Sequence, residues 1–254
     1  MKKTPLILTL LAGAASLQSL TAAVIYDEDY ETTPLDTSDT SYSTQNLEDE
    51  NVATPFGSPN QYFRMDSSVQ FVRLNDLLSP LTTYQFDMYE PSAGAAGTMN
   101  FGIGNFDINN TRSYTSWTLD DGVITNSYLT TTVSGSAPTL SLDTHYTAFV
   151  LYNGSGSTQN ISGAGSATID DGHTALFFYD VEGGTLIDGG RYSSSNSSFT
   201  PDDFLFREFS GDDNDLLIDN VTVQDTLTVV PEPSSLALLG LAGLLTLGLV
   251  RRRA

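Results

Sequence analysis

The side chains best suited to chemistry in this 254-residue chain are oxygen donors: it has 31 Asp and Glu, two His and no Cys. Asp27-Glu28-Asp29 with Glu31 forms one acidic cluster. Asp212-Asp213-Asn214-Asp215, in a turn after Gly211, forms another, with Asp219 four residues on. Hard cations take six to eight oxygens from carboxylates, amides and backbone carbonyls. Calcium is therefore the cation this chemistry suits, with Asp29, Glu31, Asp212, Asp213, Asp215 and Asp219 as candidate ligands. Solvated acidic turns, in which Asp and Asn serve turn geometry, would leave the same residues. The Asp212 run lacks the Gly and distal Glu of the helix–loop–helix calcium loop.

Other chemistries find less support. Sugars stack on exposed aromatic rings and hydrogen-bond to Asp, Asn and Gln, and Trp117 with Tyr114 and Tyr128 could form such a platform. Alternation puts Trp117 on the same side as Leu119, which points it at the core instead. Glycosidases need two carboxyl groups at a fixed separation, but the strand Thr83–Tyr89 offers only Asp87, followed by Glu90. Gly154-Ser155-Gly156 and Gly163-Ala164-Gly165-Ser166 do not form a nucleophile elbow. His145 at a strand start and His173 in an Asp-Gly-His turn read as surface residues. The expectation is a non-catalytic protein.

The elements that must position these groups are strands. Short alternating segments rich in Tyr, Phe, Val, Ile and Thr recur from Gln61 to Val223, separated by Gly-, Asn- and Asp-rich turns. This pattern predicts one all-β domain, a sandwich or barrel. In Thr83–Tyr89, Tyr84, Phe86 and Met88 share a face. In His145–Tyr152, Tyr146, Ala148, Val150 and Tyr152 oppose His145, Thr147, Phe149 and Leu151. The second face turns apolar halfway, which marks a central strand. In Asp215–Val223, strict alternation groups Leu217, Asp219, Val221 and Val223, so Asp219 needs a partner or a metal on an apolar face. The polar stretch from Tyr30 to Gln61 reads as an irregular connection, and Ser193–Ser198 as a polar loop open to O-glycosylation.

Charge narrows the partners. Between Val24 and Val230 there are five arginines, no lysine and thirty acids, a net charge of −25. Such a body repels nucleic-acid phosphates and anionic headgroups, so no nucleic-acid partner is expected. The remaining basic residues sit at the two ends. Lys2-Lys3, the apolar run Leu6–Leu17 and Thr21-Ala22-Ala23 read as a secretory signal over 1–23, cleaved after Ala23. Ser234–Val250 is a second apolar run without charge, about 25 Å long as a helix and near the lower limit for spanning a bilayer. Arg251, Arg252 and Arg253 follow, favouring a cytoplasmic tail and an outward-facing body.

Before that run stands Pro231-Glu232-Pro233, then Ser234-Ser235-Leu236-Ala237-Leu238-Leu239-Gly240, then the terminal arginines. This order resembles the PEP-CTERM sorting signal of Gram-negative bacteria. The resemblance implies export, transient anchoring in the inner membrane and recognition by an exosortase-type processing enzyme at Pro231, Glu232 and Pro233. It also implies release to or retention at the cell surface or extracellular matrix, often alongside exopolysaccharide. In the body, Asp29-Tyr30-Glu31, Thr83–Tyr89 and Ile218–Val223 resemble the laminin-G/concanavalin-like jelly rolls. That resemblance implies paired first and last strands, with Glu31 near Asp219. The expected organisation is a signal over 1–23, a jelly-roll β-sandwich over 24–228 and a sorting signal over 229–254 with a transmembrane helix at 234–250. The expected role is binding of polysaccharide or matrix, with calcium stabilisation. A polysaccharide-active hydrolase or lyase on the same fold, or a glycosylated coat protein, are the alternatives.

Overall fold

The structure, a computed structural model, describes residues 23–28, 40–42, 47–50, 55–56, 60–65, 71–74, 78–92, 98–107, 110–127, 130–194, 201–208 and 216–229. Asp29, Glu31, Asp212, Asp213, Asp215, Tyr128, the signal before Ala23, the Ser195–Ser198 loop, Pro231, Glu232, Pro233, the apolar run from Ser234 and Arg251, Arg252 and Arg253 lie outside the described residues. Among the described residues no helix is long and apolar enough to cross a membrane.

Every regular element among the described residues is a strand. In chain order these are β1 (Val24–Glu28), β2 (Thr40–Tyr42), β3 (Leu47–Glu50), β4 (Asn60–Met65), β5 (Phe71–Leu74), β6 (Leu81–Tyr89), β7 (Thr98–Asp107), β8 (Asn110–Asp120) and β9 (Val123–Asn126). There follow β10 (Thr130–Ser134), β11 (His145–Asn153), β12 (Gln159–Asn160), β13 (Thr168–Ile169), β14 (His173–Asp180), β15 (Thr185–Ser194), β16 (Asp203–Glu208) and β17 (Leu216–Gln224). The larger sheet runs β10-β15-β14-β11-β6-β17-β4-β3, with β1 also on β17. The smaller sheet runs β2-β5-β16-β7-β8-β9, and β12 and β13 form a small ribbon. Both main sheets are antiparallel, and the chain crosses repeatedly between them. This is an all-β sandwich, as the strand pattern predicts, of the jelly-roll class that the resemblance implies. First and last strands pair as expected, with Glu28 opposite Val221.

Alternation explains the core. Tyr84, Phe86 and Met88 of β6, with Tyr146, Ala148, Val150 and Tyr152 of β11, face Met99, Phe101, Ile103, Trp117, Leu119, Phe204 and Phe206 of the smaller sheet. Aromatic rings join the layers. Tyr84 stacks on Phe204 at 4.6 Å, Phe86 meets Phe206 edge-on at 4.7 Å, and Trp117 meets Tyr192 at 5.1 Å. Full burial of a large apolar side chain contributes about 1.5–3 kcal/mol, and favourable ring geometry adds roughly another 1 kcal/mol. Trp117 is thus a core residue, as its pairing with Leu119 predicts.

The opposite face of the larger sheet has two halves. Phe149, Leu151, Ala175 and Phe177 are covered by Ile161, Ile169, Leu227 and Val229, forming a second small core. His145 and Thr147, further along β11, are not part of it. The half-apolar second face of β11 is therefore real, and the strand is central, between β14 and β6.

Two expectations change. First, the register of β17 against β6 shifts between Asp219 and Thr222, and Asn220 has φ of +48°. This bulge reverses the alternation. Leu216, Ile218, Val221 and Val223 enter the main core, and Leu217 and Asp219 turn to the opposite face. The expected grouping of Leu217, Asp219, Val221 and Val223 fails for that reason. Secondly, the connection from Tyr30 to Gln61 contains β2 and β3, which join different sheets. A further strand, β15, extends through Asp188-Gly189-Gly190. A Cβ on Gly189 would lie 2.8 Å from the Leu176 carbonyl oxygen, and Gly190 has φ of +98°. The two glycines make a bulge against β14.

Asn220 holds its own bulge. Its backbone N–H donates to Asp219 Oδ1 at 2.8 Å, and its amide Nδ2 donates to Asp219 Oδ2 at 3.2 Å and Asp87 Oδ2 at 2.9 Å. Asn220→Ala should cost more than Asn220→Gly by about 1 kcal/mol, the left-handed penalty for a residue with a Cβ. Both should lose the amide bonds to carboxylate, worth about 1.5–3 kcal/mol. Urea denaturation checks this; equal losses would remove backbone strain from the account.

Burial also fixes tyrosine ionisation. It pushes the hydroxyl pKa values of Tyr152 and Tyr192 up to about 12 and raises that of Tyr84 further. The folded state holds these protons more tightly than the unfolded chain, whose tyrosines titrate near 10. Their contribution is full below about pH 10 and is lost as pH rises toward 12. Ultraviolet absorbance at 295 nm during alkaline titration should show these groups ionising together with loss of the circular dichroism of the sheets.

Candidate functional site

The open half of the second sheet face carries a polar cluster. Residues opposite one another in antiparallel ladders share a face, and the register places Asp219 opposite Asp87, and Asp87 opposite Thr147. Leu217 stands opposite Tyr89 on one side and Arg64 on the other, and Tyr89 stands opposite His145. Three strands thus bring Asp87, Tyr89, His145, Thr147 and Asp219 together.

Asp87 is the hub. Its Oδ1 accepts a 2.6 Å hydrogen bond from the Thr147 hydroxyl, and its Oδ2 accepts from Asn220 Nδ2. His145 Nε2 lies 3.4 Å from the same Oδ2. The contact lacks hydrogen-bond geometry. Phe56 packs its ring edge-on against His145 at 5.0 Å and contacts Tyr62 at 6.1 Å. Solvent reaches the rim: the side chains of Asp87 and His145 retain 16% and 13% exposure. Asp219, opposite Asp87 in the ladder, is fully buried.

Two facing carboxylates in a lysine-free body would repel each other if left bare. The amide of Asn220 donates to both, which ties them into one network. Beside them, the Tyr89 hydroxyl donates to Asp143 Oδ1 at 3.4 Å, and the Ser92 backbone N–H donates to the same oxygen at 2.9 Å. The hydrogen bonds from Ser92 hold Asp143 below the usual carboxylate range. Burial, reinforced by Asp143, raises the pKa of Tyr89, so its hydroxyl stays a donor at neutral pH.

Of the candidate calcium ligands, Asp219 alone is among the described residues. There it is joined to Asn220 and, through that amide, to Asp87. Among the described residues no group of three or more His, Cys, Asp or Glu side chains is placed to hold a metal. The proposed aromatic platform is not formed by Trp117, which is buried. Tyr114 lies in the core too, because a bulge in β8 shifts it onto that face. Its hydroxyl donates to the Gly172 carbonyl. Glu90 is buried and accepts from the Gly122 backbone N–H at 2.9 Å.

His145 corrects its sequence reading. It is a half-buried member of the cluster, not a surface residue, because β11 is central and Phe56 covers its ring. Thr147 and Asn220 were also missed. A signal was present for Thr147, which alternates with His145 on the non-core face. Asn220 gave a weaker one, an Asp-Asn pair inside an apolar strand, a composition that tolerates the left-handed conformation of a bulge.

Comparison with known proteins bears on the tail and the fold separately. Residues 229–253 match the PEP-CTERM protein-sorting motif. No curated protein matches the sequence. Among solved structures, a carbohydrate esterase from Shiga toxin-encoding bacteriophage phi24B is similar, with a TM-score of 0.49 and 13% identity, over 81% of this chain and 99% of that one. The CBM2 module of the evolved Dit of Lactobacillus casei BL23 phage J-1 has a TM-score of 0.47 and 12% identity, over 83% and 98%. The exoplasmic/lumenal domain of VIP36, in a Ca2+/Man3GlcNAc-bound form, has a TM-score of 0.46 and 9% identity, over 82% and 93%. These likenesses are too distant to assign an activity, and the fold stands on the strand order above. The tail is a different matter: the chain carries a sorting motif that marks exported proteins held at the membrane before cleavage and serves as a substrate signal for exosortase processing.

Proposed function

We propose that this is an exported protein of the cell surface or extracellular matrix whose body binds polysaccharide without catalysis, at the face built around Asp87. The observation that carries this reading is the network of Asp87, His145, Thr147 and Asn220 beside the rings of Phe56 and Tyr89. Carboxylate and amide groups hydrogen-bond to sugar hydroxyls, and aromatic rings pack against sugar faces. A net charge near −25 disfavours anionic polymers unless cations intervene, so neutral polysaccharide is the better ligand.

The hydrolase alternative has one observation in its favour, the closeness of Asp87 to Asp219 and His145. A pair of glycosidase carboxyl groups must flank the scissile bond. Asp219 is fully buried, and its oxygens are bonded to Asn220. That arrangement supports binding over bond cleavage.

Isothermal titration of the full chain in detergent micelles against neutral and acidic polysaccharides tests the reading. Neutral polymer should bind, and Asp87→Asn should weaken it about tenfold, the worth of one good hydrogen bond to charge. No heat with any polymer would overturn the binding role, and new reducing ends would shift the reading to the hydrolase.

Calcium belongs to the same proposal as a stabiliser near the paired first and last strands. Glu28 stands opposite Val221, two residues from Asp219, and Asp29 and Glu31 follow it in sequence. Millimolar calcium should raise the melting temperature by a few degrees through binding to the folded state alone. Calorimetry showing neither heat nor a shift would remove calcium from the reading.

A further inference from the structure

The chain does not leave the sandwich at the end of β17. Asp225 and Thr226 turn, and Leu227–Val229 run back across the second face of the larger sheet. Leu227 and Val229 are 5% and 2% exposed, packed with Phe149, Leu151, Ile161, Ile169 and Phe177. Backbone bonds fasten this strap. Ser162 N–H donates to Leu227 O at 2.9 Å, and Val229 N–H donates to Ser162 O at 3.0 Å, a parallel bridge centred on Ser162 and Thr228. From the sheet below, the Thr83 hydroxyl donates to Thr226 O at 2.6 Å and accepts from the Thr228 N–H at 3.2 Å. The beginning of the strap is tied to the first described residue: Ala23 N–H donates to Asp225 Oδ1, and Asp225 N–H donates to Ala23 O.

The sorting motif begins at Val229, the residue on which the strap ends. One residue, Val230, separates it from Pro231. An enzyme that processes an extended peptide must grip residues on both sides of the bond it cuts. With Val229 seated in an apolar patch and its N–H donated to Ser162, the chain up to the second position before Pro231 belongs to the folded body. From Val229 to Ser234, where the apolar run begins, the chain can reach at most roughly 17 Å.

We propose that the strap Asp225–Val229 is an autoinhibitory seat for the tail. Its docking on the Phe149–Phe177 patch shields the N-terminal side of Pro231-Glu232-Pro233, and processing there requires Leu227 and Val229 to lift away first. Lifting is a local opening: the strap adds no rung to either main sheet, so the sandwich need not unfold with it. The seat makes tail processing respond to the state of the body, since whatever loosens or tightens this patch changes access to the motif. The inference stands on the strap and the motif and is independent of what the Asp87 face binds.

A proline-specific endopeptidase is a suitable probe, because it cuts after Pro231 with Val229 and Val230 in its grip, and after Pro233 with Pro231 and Glu232 there instead. The full chain in detergent micelles would be compared with a Ser162→Cys, Thr228→Cys double variant, in oxidised and reduced forms. Those positions face each other across the parallel bridge in a chain with no other cysteine. Oxidation should slow the cut after Pro231 about tenfold relative to the reduced form and leave the cut after Pro233 within about twofold, because opening of the strap is then forbidden. Leu227→Ser should speed the cut after Pro231 while the circular dichroism of the sheets is kept. Equal rates in oxidised and reduced forms, or equal slowing of both cuts, would overturn the proposal. If Leu227→Ser unfolds the body, the comparison of oxidised with reduced forms decides alone.

Discussion

The structure turns on one residue inserted into one strand. Without the bulge at Asn220, β17 would keep a single phase, and its apolar residues could not all reach the main core. Leu216 and Ile218 would face one way and Val221 and Val223 the other. The extra residue lets both halves of the strand bury their apolar side chains, at the cost of a left-handed backbone that Asn tolerates and most residues do not. The same shift turns Asp219 to the opposite face, where the Asn220 side chain ties it to Asp87 on the neighbouring strand. Core packing and site assembly therefore share one cause. β17 is also where the pairing partners change, with β4 beside its first half and β1 beside its second.

The second face of the larger sheet divides labour along β11. Where Phe149 and Leu151 turn outward, the protein supplies its own cover: the β12–β13 ribbon and the strap that ends at Val229. Where His145 and Thr147 turn outward, polar groups from β6 and β17 meet them. An apolar half must be covered, because exposed aromatic surface costs free energy in water. A polar half, in which Asp87 is bonded to Thr147 and Asn220, has no such need and can keep a rim open to a ligand. The transition from Thr147 to Phe149 on one strand sets the border between a face that holds the tail and a face that can hold a partner.

How much of this the sequence disclosed depends on the range of the forces involved. Strands β6 and β11 were legible because local alternation decides them, and Trp117 was placed in the core by its neighbour Leu119 alone. The phase of β17 was not legible, since a bulge is stabilised by Asp87, a residue 133 positions away in sequence from Asn220. β15 was hidden by Asp188-Gly189-Gly190, where glycine signals a turn locally but serves a close approach to Leu176 in three dimensions. The cluster was half legible. Asp87 and Asp219 drew attention as carboxylates, whereas His145 was dismissed because nothing near it in sequence announces Phe56 or Asp87. The sorting motif was legible, because a processing signal is written in consecutive residues. Its seat was not, because Ser162 and Thr83 come from other parts of the fold.

The charge distribution gives these parts a common setting. A body with thirty acids and five arginines carries a self-repulsion that favours any interaction able to neutralise it without a buried unpaired charge. Several of the described acids accept from neutral donors: Asp87 from Asn220 and Thr147, Asp143 and Glu90 from backbone N–H groups, and Asp202 from the Asn105 amide. Arg191 is an exception, bonded to Asp188 and placed 4.6 Å over the Phe177 ring, so that its charge is spent inside the patch that seats the strap. Neutral donors of this kind satisfy carboxylate oxygens without adding a counter-charge. A surface built that way repels polyanions at long range and still offers acceptors to hydroxyl groups at short range, which is the combination a neutral polysaccharide requires.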